Sequence, residues 1–454
     1  MISRKEYIDQ SKQGFISHLK RFVEIPSVSM LPEHKKDIRA AAVFAADLLT
    51  SFGLKADVTE TSGNPVVTAS GPFHPDWPTI TIYNHIDVQP GNEPEWKTDP
   101  FVLSVDGDTF TGRGSTDDKG PALTALYAAR YAIESRIPVN LKFIWELEEE
   151  IGSPSFEEFL LKKKKDLVTD SVLVSDTIWL NRQKPSVPYG LRGLQTYRLI
   201  LETGEKDCHS GLCGGAARNP IAEMALLLSQ LHDAHTGDVH IPGFYDDVRK
   251  PKKREIVNFI ESGFDPEKFK KAHGLKSLRY PNPGMITTRI WALPTFEVHG
   301  IVGGYTGPGV KTAIPPRVEA KISTRLVPDQ TPDKITRLLK KAVKELNDEV
   351  KVIPEGGLVP YLGDFEGFYA EAAVKAIEHA FGTTPAFTRE GGSIGAVVTM
   401  QKHLKVPINF LGLSLPEHGY HAPNENYDWQ QASGGMSMFL KYFDILGEAG
   451  KKKK

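Results

Sequence analysis

Apolar and polar positions follow two different periods along this chain. Residues 79–83 (TITIY), 139–145 (VNLKFIW) and 171–175 (SVLVS) are largely apolar and β-branched, the pattern of strands covered on both faces. Helical stretches separate them. One spans 40–52 and closes at Gly53; another spans 121–133, with Pro121 expected at the first helical position, where its missing N–H costs nothing. Strands alternating with helices predict a mostly parallel sheet with helices on both faces. Such sheets bind ligands beyond the carboxyl ends of their strands.

The period changes near residues 189–193 (YGLRG). Segments 195–202 (QTYRLILE) and 317–326 (RVEAKISTRL) alternate as half-exposed strands do, and 220–231 and 332–347 read as helices. Residues 237–280 are polar and charged, with no evident period. Past Gly363 the α/β character returns, with a helix at 368–381 and a strand at 407–411. The fold expected is therefore an α/β domain interrupted by a smaller α+β domain. The first would take residues 1–190 and 361–454, and the second 191–360.

Composition narrows the partners. Of 454 residues, 55 are basic and 57 acidic, so the net charge of -2 gives no reason to expect nucleic acid or an anionic membrane. Two cysteines argue against a disulfide framework and fit a reducing compartment. Residues 1–9 (MISRKEYID) lack the apolar run of a secretory signal, and no stretch is apolar enough to span a bilayer. A cytoplasmic location is the expectation.

The candidate chemistry gathers at the predicted strand ends. Glu149 and Glu150 close the 139–145 strand region, where paired charge is costly without a cation to meet it. An exposed acidic turn is the other reading. His85 and Asp87 follow 79–83 and, two apart on an extended chain, point the same way, suiting a ligand and the carboxylate that orients it. Asp117 and Asp118 lie in a Gly-rich turn before a helix, in GRGSTDDKGP. The turn lacks both nucleotide-binding glycine patterns, though acids there also favour a helix N-terminus. Asp176 follows 171–175 and reads equally as an N-cap, and His421 lies in the loop after 407–411. An imidazole or carboxylate at the end of nearly every strand of one sheet is what an α/β active site requires.

In order, NHIDVQP, GRGSTDDKGP, ELEEEIGS, VSDTIW, YGLRG, HSG, REGGSIG and EHGYHAPNE resemble the co-catalytic metallopeptidases. That family includes cytosolic non-specific dipeptidase, carnosinase, glutamate carboxypeptidases, aminoacylases and succinyl-diaminopimelate desuccinylases. YGLRG and GRGSTDDKGP look closest to its dipeptidase branch. The resemblance implies two divalent metal ions, zinc ahead of manganese or cobalt. It makes His85, Asp117, Glu150, Asp176 and His421 the ligands, with Asp117 bridging because it stands two before Lys119. It makes Glu149 the general base, and Asp87 the residue orienting His85. His209 would act in trans across a homodimer on the oxyanion, and Thr312, Arg325 and Ser393 would contact substrate. A cis peptide is implied at Asp117–Asp118. Asn84 departs from the glycine that usually precedes the histidine. Cys208 and Cys213 flank His209 and would be an incomplete zinc set.

The charges close on this assignment. Two ions bring about four positive charges, against three ligand carboxylates and a hydroxide. Glu149 is then free to move a proton. The expected activity is hydrolysis of the amide bond of dipeptides or short peptides. The alternatives are carboxypeptidase action, removal of N-acyl or N-succinyl groups at the same site, or a non-catalytic binding homologue.

Overall fold

The computed structural model describes residues 2–452. Its largest sheet has six strands. Their order is Lys55–Thr59, Val66–Ser70, Asn140–Glu146, Thr79–His85, Ser171–Val174, Ile408–Phe410. The last four strands in that order run parallel to one another, and the first two add an antiparallel edge. Thr79–His85 is buried along its whole length, and its side chains divide between two cores. Ile80 and Ile82 join one with Leu123 and Phe439, while Tyr83 joins the other with Phe156 and Val397. The period of two thus serves two helical layers, which is why these strands read as continuously apolar.

The helix Lys119–Glu134 begins two residues earlier than its sequence pattern indicated, so Pro121 is its third residue and not its first. The proline is still tolerated there, because first-turn N–H groups have no intrahelical acceptor. Helix Arg4–Val23 was not foreseen. Ser3 and Glu6 form a capping box at its start, and Phe15, Leu19 and Phe22 line the face it buries.

Residues 193–358 contain a four-stranded antiparallel sheet, ordered Thr295–Gly303, Arg317–Leu326, Gly193–Glu202, Lys351–Leu358. Helices Pro220–Leu231 and Pro332–Leu346 cover one face through Leu227, Leu231 and Leu339. The charged stretch without a period carries helices Lys253–Glu261 and Pro266–Ala272. Along the first of these, Ile256, Val257 and Ile260 are exposed, while Glu255 is buried. Glu255 pairs with buried Arg389 and accepts from Tyr189 Oη at 2.8 Å. This helix and Pro283–Ala292 pack on strand Ala386–Glu390. The helix was hard to read because one of its two buried residues, Glu255 beside Phe259, is a charge whose partner lies far along the chain.

Candidate metal centre

The carboxyl edge of the main sheet assembles the acids. Strand Thr79–His85 ends on His85, which is fully buried. Asp87 follows it, with its carboxylate 3.4 Å from His85 Nδ1. The same carboxylate accepts the N–H of Glu149 at 3.2 Å and of Glu150 at 3.1 Å. Asp87 therefore caps the one-turn 3-10 helix Glu149–Ile151 besides facing the imidazole. The sequence pattern had indicated only the second of these roles. Gly152 closes the turn at φ +85°, a conformation that costs glycine nothing.

Asp117 is held from behind by Glu425. Glu425 Oε1 accepts from Thr116 N at 2.9 Å and Asp117 N at 3.0 Å. Its Oε2 accepts from Gly114 N at 3.0 Å and pairs with Arg113 Nη1 at 3.0 Å. Both charged residues are buried. The Asp117–Asp118 peptide is cis, as the motif implied. Asn84, the departure from the usual glycine, donates from Nδ2 to Asp118 Oδ2 at 2.7 Å and to Ser175 Oγ at 2.5 Å.

Two groups of potential ligand atoms converge among the described residues: His85 with Asp118 and Asp176, and Asp117 with Glu150 and His421. Within each, the atoms lie within 4.8 Å of one another. Asp117 links them, with Oδ1 2.9 Å from His85 Nε2 and Oδ2 2.9 Å from His421 Nε2. His421 Nε2 is also 3.1 Å from Glu150 Oε2, and His85 Nε2 is 3.8 Å from Asp176 Oδ2. Asp118, set aside in favour of Asp117, thus stands beside the same centre.

The electrostatics are those of a cation site. Burial raises Glu149 well above the usual carboxylate range, and Asp176, Glu150 and Asp87 add to the shift while His85 opposes it. Burial likewise raises Glu150, and it pushes Asp176 up to about 6. Burial also opposes ionisation of Asp117, but the two imidazoles outweigh it and hold that carboxyl low. Conversely, burial disfavours a charged His421, yet Asp117 and Glu150 bring its pKa to about 11. Protons on the imidazoles here do what a cation would do among so many carboxylates. Asp118 Oδ1 is buried without a hydrogen-bond partner, and Asp117 Oδ2 faces only the His421 imidazole. These lone pairs, with a nitrogen and oxygen donor set lacking thiolate, fit zinc, manganese or cobalt.

A cavity of about 500 Å³ opens over the centre, with Glu149, Glu150, Asp176, Arg325, Ser393 and His421 in its wall. Arg325 Nη1 donates to Ser393 Oγ at 3.2 Å, and burial lowers the pKa of Arg325. His209 and Thr312 do not line this cavity. His209 lies on the two-stranded ribbon Cys208–His209 with Ala313–Ile314, and Thr312 just precedes its second strand, where Ser210 N donates to Thr312 O at 2.9 Å. Four contributors escaped the sequence reading. Gln89 Nε2 donates to Glu150 Oε2 at 2.6 Å, and Tyr420 Oη donates to Asp176 Oδ1 at 2.5 Å. The others are Glu425 and the buried part of Glu390, whose Oε2 has no hydrogen-bond partner. Gln89, Tyr420 and Glu425 sit inside NHIDVQP and EHGYHAPNE, the only signal that could have found them.

Residues 81–444 match the peptidase family M20/M25/M40. The chain is 34% identical to the Cys-Gly metallodipeptidase dug1 of Schizosaccharomyces pombe, covering 97% of each. It is 32% identical to the Beta-Ala-His dipeptidase of Homo sapiens, over 96% of this chain and 91% of that protein. Among solved structures it is similar to the di-peptidase Dug1p of Saccharomyces cerevisiae, with a TM-score of 0.87, 31% identity and 98% of both chains covered. It is also similar to the M20 family metallo-carboxypeptidase Sso-CP2 of Sulfolobus solfataricus. There the TM-score is 0.88 at 31% identity, over 96% of this chain and 99% of the other.

Proposed function

The chain belongs to peptidase family M20/M25/M40, and from that premise we propose that it hydrolyses the amide bond of dipeptides or short peptides at a dinuclear metal centre. The observation that carries this reading is Asp117, whose two oxygens face two different histidines in adjoining ligand groups. The two dipeptidases to which the chain is similar along nearly its whole length support the substrate class. Asp117, Glu150 and His421 would hold one ion, and His85 and Asp176 the other, with Asp117 shared and zinc ahead of manganese or cobalt. When bound, such ions polarise the scissile carbonyl and acidify water.

The protein's own groups do the rest. Glu149 takes a proton from the attacking water on its carboxylate and passes it to the leaving amine. Asp87 keeps the turn bearing Glu149 in register with His85. Arg325, steadied by Ser393, offers a two-pronged guanidinium to the substrate's carboxylate. His209 of a second copy donates to the oxyanion, and Thr312 beside it contacts the same substrate. The segment 191–360 then serves as lid and homodimer surface for a first domain made of 1–190 and 361–454. No helix among the described residues is long and apolar enough to cross a membrane; a cytoplasmic enzyme is the reading.

The similarity to a metallo-carboxypeptidase favours a second reading, the trimming of longer peptides from the C-terminus. A panel of dipeptides, longer peptides and N-acylated amino acids, assayed with the metal content measured, tests both. Dipeptide turnover is expected to exceed the other two. Turnover of acylated amino acids without dipeptide cleavage would overturn the assignment.

A further inference from the structure

A second cavity, of about 560 Å³, adjoins the one over the metal centre, and the mechanism makes no use of it. Ile178, Glu390, Gly392 and Tyr420 line both cavities, so the two spaces meet at these residues. The meeting point stands beside Asp176. Tyr420 Oη donates to Asp176 Oδ1, Ile178 follows Asp176 by two residues, and Ile178 N donates to Glu390 Oε1 at 3.4 Å. Arg325 and Ser393 line the first cavity and not the second. Past the shared residues the lining turns aromatic. Helix Pro266–Ala272 supplies Phe269, and helix Pro283–Ala292 supplies Ile290 and Trp291. The Phe264 ring centroid is 5.1 Å from that of Phe269 and 6.3 Å from that of Trp291, so the three rings make one continuous surface. Trp179, also in the lining, is pinned by its Nε1, which donates to Gly412 O at 2.8 Å. Arg192 is the polar exception, with a buried Nη1 that has no hydrogen-bond partner. A largely apolar cavity of several hundred Å³ with a few placed polar groups is the usual form of a small-molecule site.

We propose that this second cavity is the specificity subsite for the N-terminal residue of the dipeptide and takes a large apolar side chain, an aromatic one above all. The inference rests on the proposed dipeptidase activity and deepens it. A dipeptide held at its carboxylate by Arg325 and Ser393, with its amide at the metal centre, extends its first residue toward the Asp176 side, where the cavities meet. Glu390 Oε2 at that point is buried without a hydrogen-bond partner. As an acceptor it suits the ammonium end of a dipeptide, which donates, and not the carboxylate end. The side chain of the first residue then faces the aromatic lining. Burying a ring there removes more apolar surface from water than burying a methyl group, and ring-to-ring contacts add to it. The Arg192 guanidinium is attracted to an aromatic face as well. The side chain enters from the first cavity, so the subsite does not depend on any outer surface that a second copy would cover.

The test measures kcat/KM of the intact, metal-loaded protein for two dipeptide series, X-Gly and Gly-X, with X alanine, leucine, phenylalanine, tryptophan or glutamate. Phe-Gly is expected to exceed Ala-Gly by about 10–10²-fold, with a far smaller difference between Gly-Phe and Gly-Ala. Phe269→Ala and Ile290→Ala each remove part of the lining and should lower the ratio of Phe-Gly to Ala-Gly by about 10-fold. A ratio is unaffected by loss of folded enzyme. A flat X-Gly series would overturn the proposal, as would a preference expressed only in Gly-X. So would a preference for Glu-Gly drawn by Arg192, or a ratio unchanged in both variants. Cleavage of neither series would remove the dipeptidase reading and the subsite with it, whereas cleavage of both with a flat X-Gly series would remove the subsite alone.

Discussion

His85, Asp117 and Glu425 are sealed at the carboxyl edge of the main sheet, whereas His209 and Thr312 stand exposed on and beside a ribbon only two residue pairs long. In the cleft, one carboxylate, Glu425, ties down three backbone N–H groups and a buried guanidinium. On the ribbon, Ser210 N to Thr312 O and Gly211 N to His209 Nδ1 hold the turn locally. The cleft is preorganised by burial, which is what electrostatic catalysis demands. The ribbon has few ties, which would suit the donor role proposed for His209.

Substitutions probe each half of that contrast. Glu149→Gln should keep both metals and lose about 10²–10⁴-fold in kcat, because it removes only the proton carrier. Metal analysis beside steady-state kinetics checks this. Glu425→Gln should cost about 1–3 kcal/mol of stability by removing the nearer of the two countercharges of buried Arg113, with Glu93 remaining at 3.4 Å. Denaturant unfolding would read it, and the ribbon should be untouched. His209→Ala should leave stability and metal content unchanged yet reduce kcat by about 10²–10³-fold. Mixed dimers with Glu149→Gln should then recover activity, since one cleft per pair has both groups. Asp87→Asn should weaken metal binding about 10–100-fold, as expected for a residue behind a ligand. A metal titration in which Asp87→Asn matched the native protein would show that the turn bearing Glu149 holds without it.

The cleft was far more legible than its supports. His85 ends a β-branched strand, Asp176 stands two residues past another and Glu150 four past the apolar strand Asn140–Glu146, so the strand pattern and the candidate ligands coincide in the sequence. The six-stranded order was not readable, since its antiparallel edge depends on which strands neighbour which, a long-range choice. Nor was the capping of the Glu149–Ile151 turn by Asp87 readable, because its N–H donors lie 62 and 63 residues away. The helix Lys253–Glu261 was hidden by its own chemistry, burying Glu255 beside Phe259 while leaving Ile256 and Ile260 exposed. Arg389, which makes that burial tolerable, is 134 residues distant.

Metal-free protein prepared by chelation and then titrated with zinc or manganese, with dipeptide turnover followed at each addition, tests the dinuclear account most directly. Activity should vanish on chelation and return fully only as the second ion per chain binds. The unfolding temperature should rise with each ion, because the site exists only in the folded chain. Dipeptide cleavage that persists in metal-free protein, or that saturates with no metal bound at Asp117, would contradict it.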